Sequence, residues 1–282
     1  MSAEPAVAGS TLMQTRRRQL ATIVRREATA QLLRWRGAWI CPLALAPLVI
    51  VAVHALRDPA DSHRLSQETT VVAGIVHFYY LRVAIFFGAA ALFSRAFRGE
   101  IVERTLHYSL LAPVRREVLV LGKFLGNLLV SLVVFVTAVA AVFLAMYGHF
   151  PEGVVFLREG AGMAQLGAYL LATALACVGY GAIFLVLGLL FRNIAVPAVT
   201  VLGLETWSGA LPPLLQRLTV TYYLKPICPV PPQLEGIAAL LTVAVEPTPT
   251  GLAVIGLVLF AAAVLAFASV KVRRMEINYT TD

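Results

Sequence analysis

The sequence predicts an all-α integral membrane protein, and three observations carry that expectation. Hydrophobic residues make up 59% of the chain against 13% charged, with a mean hydropathy of +0.81, whereas a water-soluble domain carries roughly 25% charged residues. Apolar stretches of about 20 residues, the length a helix needs to cross the hydrocarbon core, recur along nearly the whole sequence. Lys and Arg gather beside those stretches. No polar stretch is long enough for a separate soluble domain, so residues 1–282 read as a single transmembrane domain.

Residues 1–36 form a basic segment with seven Arg. Between Met13 and Arg36, Leu20, Ile23, Val24, Ala28, Leu32 and Trp35 recur at helical spacing, opposite Arg18, Arg25 and Arg26. A basic amphipathic helix of this kind lies along the inner membrane surface. A plain basic tail is the alternative, most apt for Met1–Ser10. The first span is not a cleavable signal peptide, because this long basic segment precedes it and no small-residue cleavage site follows.

Six spans are expected at 37–56, 71–94, 119–147, 164–191, 194–212 and 251–270. Two of them hold a charge away from their ends: Arg82 near the middle of the second and Glu205 in the fifth. An unpaired charge at mid-bilayer costs about 2.5–3.5 kcal/mol even on insertion scales, so such residues face the bundle interior or a wet cavity. Arg82 and Glu205 are therefore candidate pathway residues. The alternative is that Arg82 snorkels to the headgroups and Glu205 is protonated or solvated from outside. Segment 213–250 mixes Tyr222, Tyr223, a proline cluster and the apolar run Gly236–Val245. That run is too short to span, which predicts short re-entrant helices at the outer face between spans five and six.

Orientation follows from the positive charges, which cytoplasmic loops retain in excess. With the N-terminus inside, 17 of the 23 Lys and Arg lie on the inner side. Both termini are then cytoplasmic.

The cytoplasmic connection 95–118 carries the most information. Read as a helix from Gly99, it puts Glu100, Glu103, Arg104 and His107 on one face, with Val102, Leu106 and Leu110 on another. Pro113 ends that helix, and Arg115 and Arg116 hold the turn in the cytoplasm. A short helix with a mixed-charge face suits docking into a groove of a soluble partner. It equally suits a helix resting on the headgroups.

Several chemistries are missing. Gly122-Lys123 is followed by Phe124 and preceded by Glu117 where a P-loop needs its first Gly, so no phosphate cradle of the G-x-x-x-x-G-K-[ST] type is present. The five histidines are scattered, without metal or catalytic spacing. Cys41 and Cys177 lie in apolar segments, so no disulfide is expected. The basic residues flank apolar spans and are not interleaved with aromatics on a polar module, which argues against nucleic acid.

The run RTLHYSLLAPVRR with Lys123 after it resembles the signature of the ABC type-2 permease family, G-T-L-E-x-L-L-x-x-P-V-x-R followed by Gly-Lys. Thr105, Leu106, Pro113, Val114, Arg116, Gly122 and Lys123 align without a gap; Arg104 stands where Gly is usual and His107 where Glu is usual. The order of basic helix, six spans and outer short helices extends the likeness over the whole chain. The resemblance implies a non-catalytic permease subunit of an exporter in the plasma (inner) membrane. It implies a pathway formed with a second permease, identical or different, among membrane lipids. Two cytosolic ABC ATPase subunits would bind the ATP and Mg, and this chain would bind no cofactor. It further implies that Glu100, Glu103, Arg104, His107, Pro113 and Arg116 couple the permease to the ATPase. Two other classes remain: a non-transporting membrane anchor for a soluble partner, and an ion-coupled secondary transporter. The latter would be expected to show inverted repeats and several mid-membrane carboxylates.

Overall fold

The computed structural model describes residues 4–33, 39–57, 64–102, 114–231 and 249–274. Every element there is helical: α1 (Glu4–Leu33), α2 (Ile40–Arg57), α3 (Leu65–Gly74), a π-helical segment (Ile75–Ala84), α4 (Ile85–Phe93), α5 (Arg95–Val102), α6 (Arg116–Gly148), α7 (Pro151–Arg158), α8 (Gly162–Leu190), α9 (Ala195–Thr206), a 3-10 turn (Ser208–Ala210), α10 (Pro213–Gln216), α11 (Val220–Leu224) and α12 (Thr250–Arg273). Helices satisfy every interior backbone group within one segment, which is what a hydrocarbon solvent demands.

Five helices are long and apolar enough to cross a membrane: Ile40–Arg57, Leu65–Glu100, Arg116–Gly148, Gly162–Leu190 and Thr250–Arg273. Their outward faces are apolar, with Ile50 68% and Leu259 64% exposed. Faces of that kind are at home in lipid and not in water.

The expected span at 194–212 is not one continuous helix. α9 has 12 residues, about 18 Å at 1.5 Å per residue, well short of a hydrocarbon core of about 30 Å. The backbone leaves helical geometry at Trp207 (ψ 13°), and Pro212 and Pro213 cannot prolong a helix that reaches them. The chain continues through the 3-10 turn and α10 into α11, whose Val220 is fully buried. Val220 packs on Gly179 of α8, where a Cβ would sit 3.0 Å from its side chain. The apolar run at 236–245 lies outside the described residues.

α8 is the centre of the bundle. Phe86 of α4 meets Tyr180 and Phe184 edge-on, with ring centroids 5.5 and 4.9 Å apart. Gly188 lets the Ser94 backbone approach so closely that a Cβ would collide with the Ser94 carbonyl oxygen.

Two sets of contacts define the ends of the bundle. At one, Arg116 donates from Nη1 to the Val272 and Arg273 carbonyls at 2.9 and 2.7 Å, Glu117 pairs with Arg273, and Gly188 meets Ser94. At the other, the His54 ring lies 3.4 Å from Glu68 Oε1 and 6.4 Å, centroid to centroid, from the His149 ring. There too the Thr250 hydroxyl donates to the Pro226 carbonyl at 3.1 Å.

Candidate functional site

At the Arg116 end, α1 lies along α6. Its inward residues are Leu20, Ile23, Val24, Glu27 and Ala28, while Arg18, Arg25 and Arg26 stay exposed. The face expected to rest on the membrane surface is thus covered by protein over this stretch. Gly122 and Gly126, four apart on one face of α6, make the approach possible: a Cβ would meet Ile23 at 2.7 Å and Glu27 at 2.6 Å.

Between the two glycines stands Lys123, only 2% exposed. Its ammonium donates to Glu27 Oε1, Glu100 Oε1 and the Ala96 carbonyl, each at 2.8 Å. The Phe97 ring lies 5.2 Å from it. All three donor hydrogens of the ammonium are used. Each bond goes to a different neighbour, so one buried cation fastens α1, α5 and α6 together. A buried charge is tolerable only when paired and hydrogen-bonded in this way.

Of the sequence-derived coupling residues, Glu100 is turned toward Lys123, and Arg116 closes the carbonyl end of α12. Glu103, Arg104, His107 and Pro113 lie outside the described residues.

The second cluster surrounds Arg82 and Glu205, which form no ion pair with each other among the described residues. Glu205, 3% exposed, accepts from the Val220 amide at 2.7 Å, the Thr221 amide at 2.9 Å and the Thr221 hydroxyl at 2.6 Å. The Tyr180 hydroxyl adds a bond at 3.2 Å. The two amides are the first of α11, so the carboxylate from α9 caps a helix whose own N-cap side chain makes no capping bond.

Arg82 sits on the π-helical segment, its guanidinium 5.4 Å over the Phe78 ring. This segment leans on α2 through a backbone fault. Pro47 lies inside α2 and cannot donate to the carbonyl four residues back. That carbonyl belongs to Leu43, and the Tyr79 hydroxyl donates to it at 2.6 Å. Tyr80 does the same for Ala44 at 2.7 Å.

Just after α11 comes Lys225, whose ammonium is lowered from its ordinary value by desolvation and then by the Arg82 charge. Farther on, burial pushes the Cys228 thiol up to about 12. Among the described residues no group of His, Cys, Asp and Glu is arranged to hold a metal.

Sequence reasoning did not find the Lys123–Glu27 pair, although Lys123 stands at the start of an apolar span and Glu27 inside a run of arginines. Those two misplaced charges were the available signal. The capping role of Glu205 had none, because its partners are backbone amides.

A family model described as ABC-2 family transporter protein matches residues 24–210, from within α1 to the end of the 3-10 turn. No curated protein matches the chain.

Proposed function

The chain belongs to the ABC-2 family of transporter proteins, and on that premise we propose that it is the membrane permease subunit of an ATP-binding-cassette exporter. Separate cytosolic ATPase subunits, two per assembly, supply the energy and bind the ATP and Mg. Two permease chains, identical or different, form the substrate pathway at their interface. Residues 1–282 act as one transmembrane domain in the plasma (inner) membrane, with both termini cytoplasmic, as the excess of Lys and Arg on that side favours.

The chain makes six passages in this reading, the fifth broken. α9 starts where α8 ends, beside Ser94 and Gly188. Pro226 meets Thr250 at the opposite end of α12. The discontinuous path through α9, α10 and α11 therefore joins the two ends of the bundle. Irregular backbone at membrane depth is tolerated where it is buried in protein or lines a cavity. Arg82 lines the pathway side of this break, and Glu205 holds the break in shape.

Coupling runs through 95–118, with Glu100, Glu103, Arg104, His107, Pro113 and Arg116 as its contact and positioning residues. The observation that supports it best is the Lys123 junction, which ties α5, the start of that segment, to α1 and α6. A push on the segment is thereby delivered to a spanning helix and not dissipated in a loop.

A photo-crosslinking residue at His107 tests this in native membranes. The reading expects a crosslink to a subunit with a P-loop, lost when the partner is absent. A crosslink only to lipid, or to a soluble protein without a P-loop, would favour the anchor.

A further inference from the structure

We propose that the π-helical segment Ile75–Ala84 is a register switch. It exchanges with a regular α-helix of the same residues, and the Tyr79 and Tyr80 hydroxyls latch the π form through their bonds to α2.

The change of register shows in the backbone. The Ile75 amide still donates four residues back, to the Val71 carbonyl, whereas the Ile85 amide donates five back, to the Tyr80 carbonyl. Between them runs a ten-residue π-helix, IVHFYYLRVA. That stretch holds no proline to forbid the α register. Because π-helix is rare and mostly confined to single turns, a run of this length needs support from outside itself.

The support comes from α2. Pro47 leaves the Leu43 carbonyl without its helical donor, and Tyr79 donates to it at 2.6 Å while Tyr80 donates to the Ala44 carbonyl at 2.7 Å. Each residue of an α-helix turns the chain by about 100°, and each residue of a π-helix by less. Conversion to α therefore rotates both tyrosines about the helix axis and draws their hydroxyls off the two carbonyls. Tyr80 is fully buried, so no water replaces Ala44 there, and the lost bond opposes opening.

The segment is held at both ends. Glu68 of α3 meets His54 of α2 at 3.4 Å, and Glu100 of α5 is fastened to Lys123. His77, bonded to the Ala73 carbonyl at 2.9 Å, and Arg82, over the Phe78 ring, ride on the segment between. Opening the latch turns α4 and α5 against α3; run in reverse, a rotation of α5 releases α2. A coupled transporter has a use for that second direction, and this use alone rests on the permease reading.

Electron–electron double resonance on the full-length chain in nanodiscs tests the switch. Spin labels at T70C and A91C, with the three native cysteines replaced, stand at exposed positions of α3 and α4 on either side of the segment. A π-helix packs more residues into each turn than an α-helix, so conversion lengthens the stretch between the labels. The wild type is expected to give one short distance. Y79F/Y80F removes both donors and should add a longer distance. P47A returns an amide to the Leu43 carbonyl, displaces Tyr79, and should add the same longer distance to a lesser extent. Y223F breaks a bond of the same kind elsewhere, to the Arg217 carbonyl at 2.9 Å, and should keep the wild-type distance. A single unchanged distance in both Y79F/Y80F and P47A would overturn the switch. So would a broad, undefined distance in Y79F/Y80F beside a wild-type trace in P47A, since the tyrosines would then only hold the fold. No ATP, partner or substrate enters the measurement, so the switch can fail while the permease reading stands, and the reverse.

Discussion

The Lys123 ammonium lies 2.8 Å from a carboxylate oxygen of Glu27, 96 residues earlier in the chain. Glu100 takes a second bond of the same length. Breaking a buried ion pair from one side costs about 3–5 kcal/mol, because the partner keeps its desolvation without its counter-charge. K123M leaves two facing carboxylates and is expected to lower the thermal midpoint of the detergent-extracted protein sharply. E27Q, which keeps an acceptor and leaves Glu100 in place, should cost less. Equal midpoints for K123M and wild type would mean that the junction does not hold α1 to α6.

Glu205 is the N-terminal cap of α11, so its removal acts on the backbone. E205A orphans the buried Val220 amide, which costs about 1–3 kcal/mol, and the half-buried Thr221 amide and hydroxyl, which cost less. E205Q retains an oxygen acceptor and loses the charge. Stability in differential scanning fluorimetry should fall in the order wild type, E205Q, E205A. Full transport with a wild-type midpoint in E205A would show that the irregular stretch between α9 and α11 needs no cap.

The Cys228 thiol, held up at about 12 by burial, stays protonated at neutral pH. Because only the thiolate attacks a maleimide, Cys228 should resist labelling at pH 7.5 and begin to react only in strongly alkaline buffer or after denaturation. Rapid labelling at neutral pH, followed by peptide mass spectrometry, would contradict the packing around it.

Orientation is checked with single cysteines. S62C should react with an impermeant thiol reagent added outside, and R18C should not. The reverse pattern would invert the topology that the basic residues favour.

How much of this was readable beforehand depended on the range of the interaction. The apolar periods announced the long helices, because hydrocarbon length and helical rise are local constraints. The run ending in Pro113-Val114-Arg115-Arg116 carries the family signature within about a dozen consecutive residues, a local pattern that needs no fold to be read. The expected span at 194–212 misled because its apolar length is ordinary. Its break is set by Pro212, Pro213 and a carboxylate whose partners lie 15 and 16 residues ahead. The π-helical segment has no compositional mark that distinguishes it from α-helix; its clue is the pairing of Tyr79 with the carbonyl freed by Pro47 in another helix. Arg82 was visible as a costly charge, but the segment that carries it meets α2 only through that geometry.

The coupling segment makes a further prediction. E103R/R104E reverses a charge pair in the segment proposed to meet the ATPase, where desolvated contacts are worth about 1 kcal/mol or more each. Transport and co-purification of the ATPase should both fall while membrane abundance and thermal midpoint stay near wild type. A double variant that keeps its partner removes this face as the docking element.

The central claim is that a separate ATPase drives this chain, and ATP hydrolysis by the affinity-purified assembly tests it most directly. Isolated from its own membranes and placed in nanodiscs, the chain should bring with it a P-loop subunit and show vanadate-sensitive hydrolysis. Stripping that subunit should abolish the activity, and adding it back should restore it. A chain that purifies alone, hydrolyses nothing and gains no activity from any co-purifying P-loop protein would contradict the permease account.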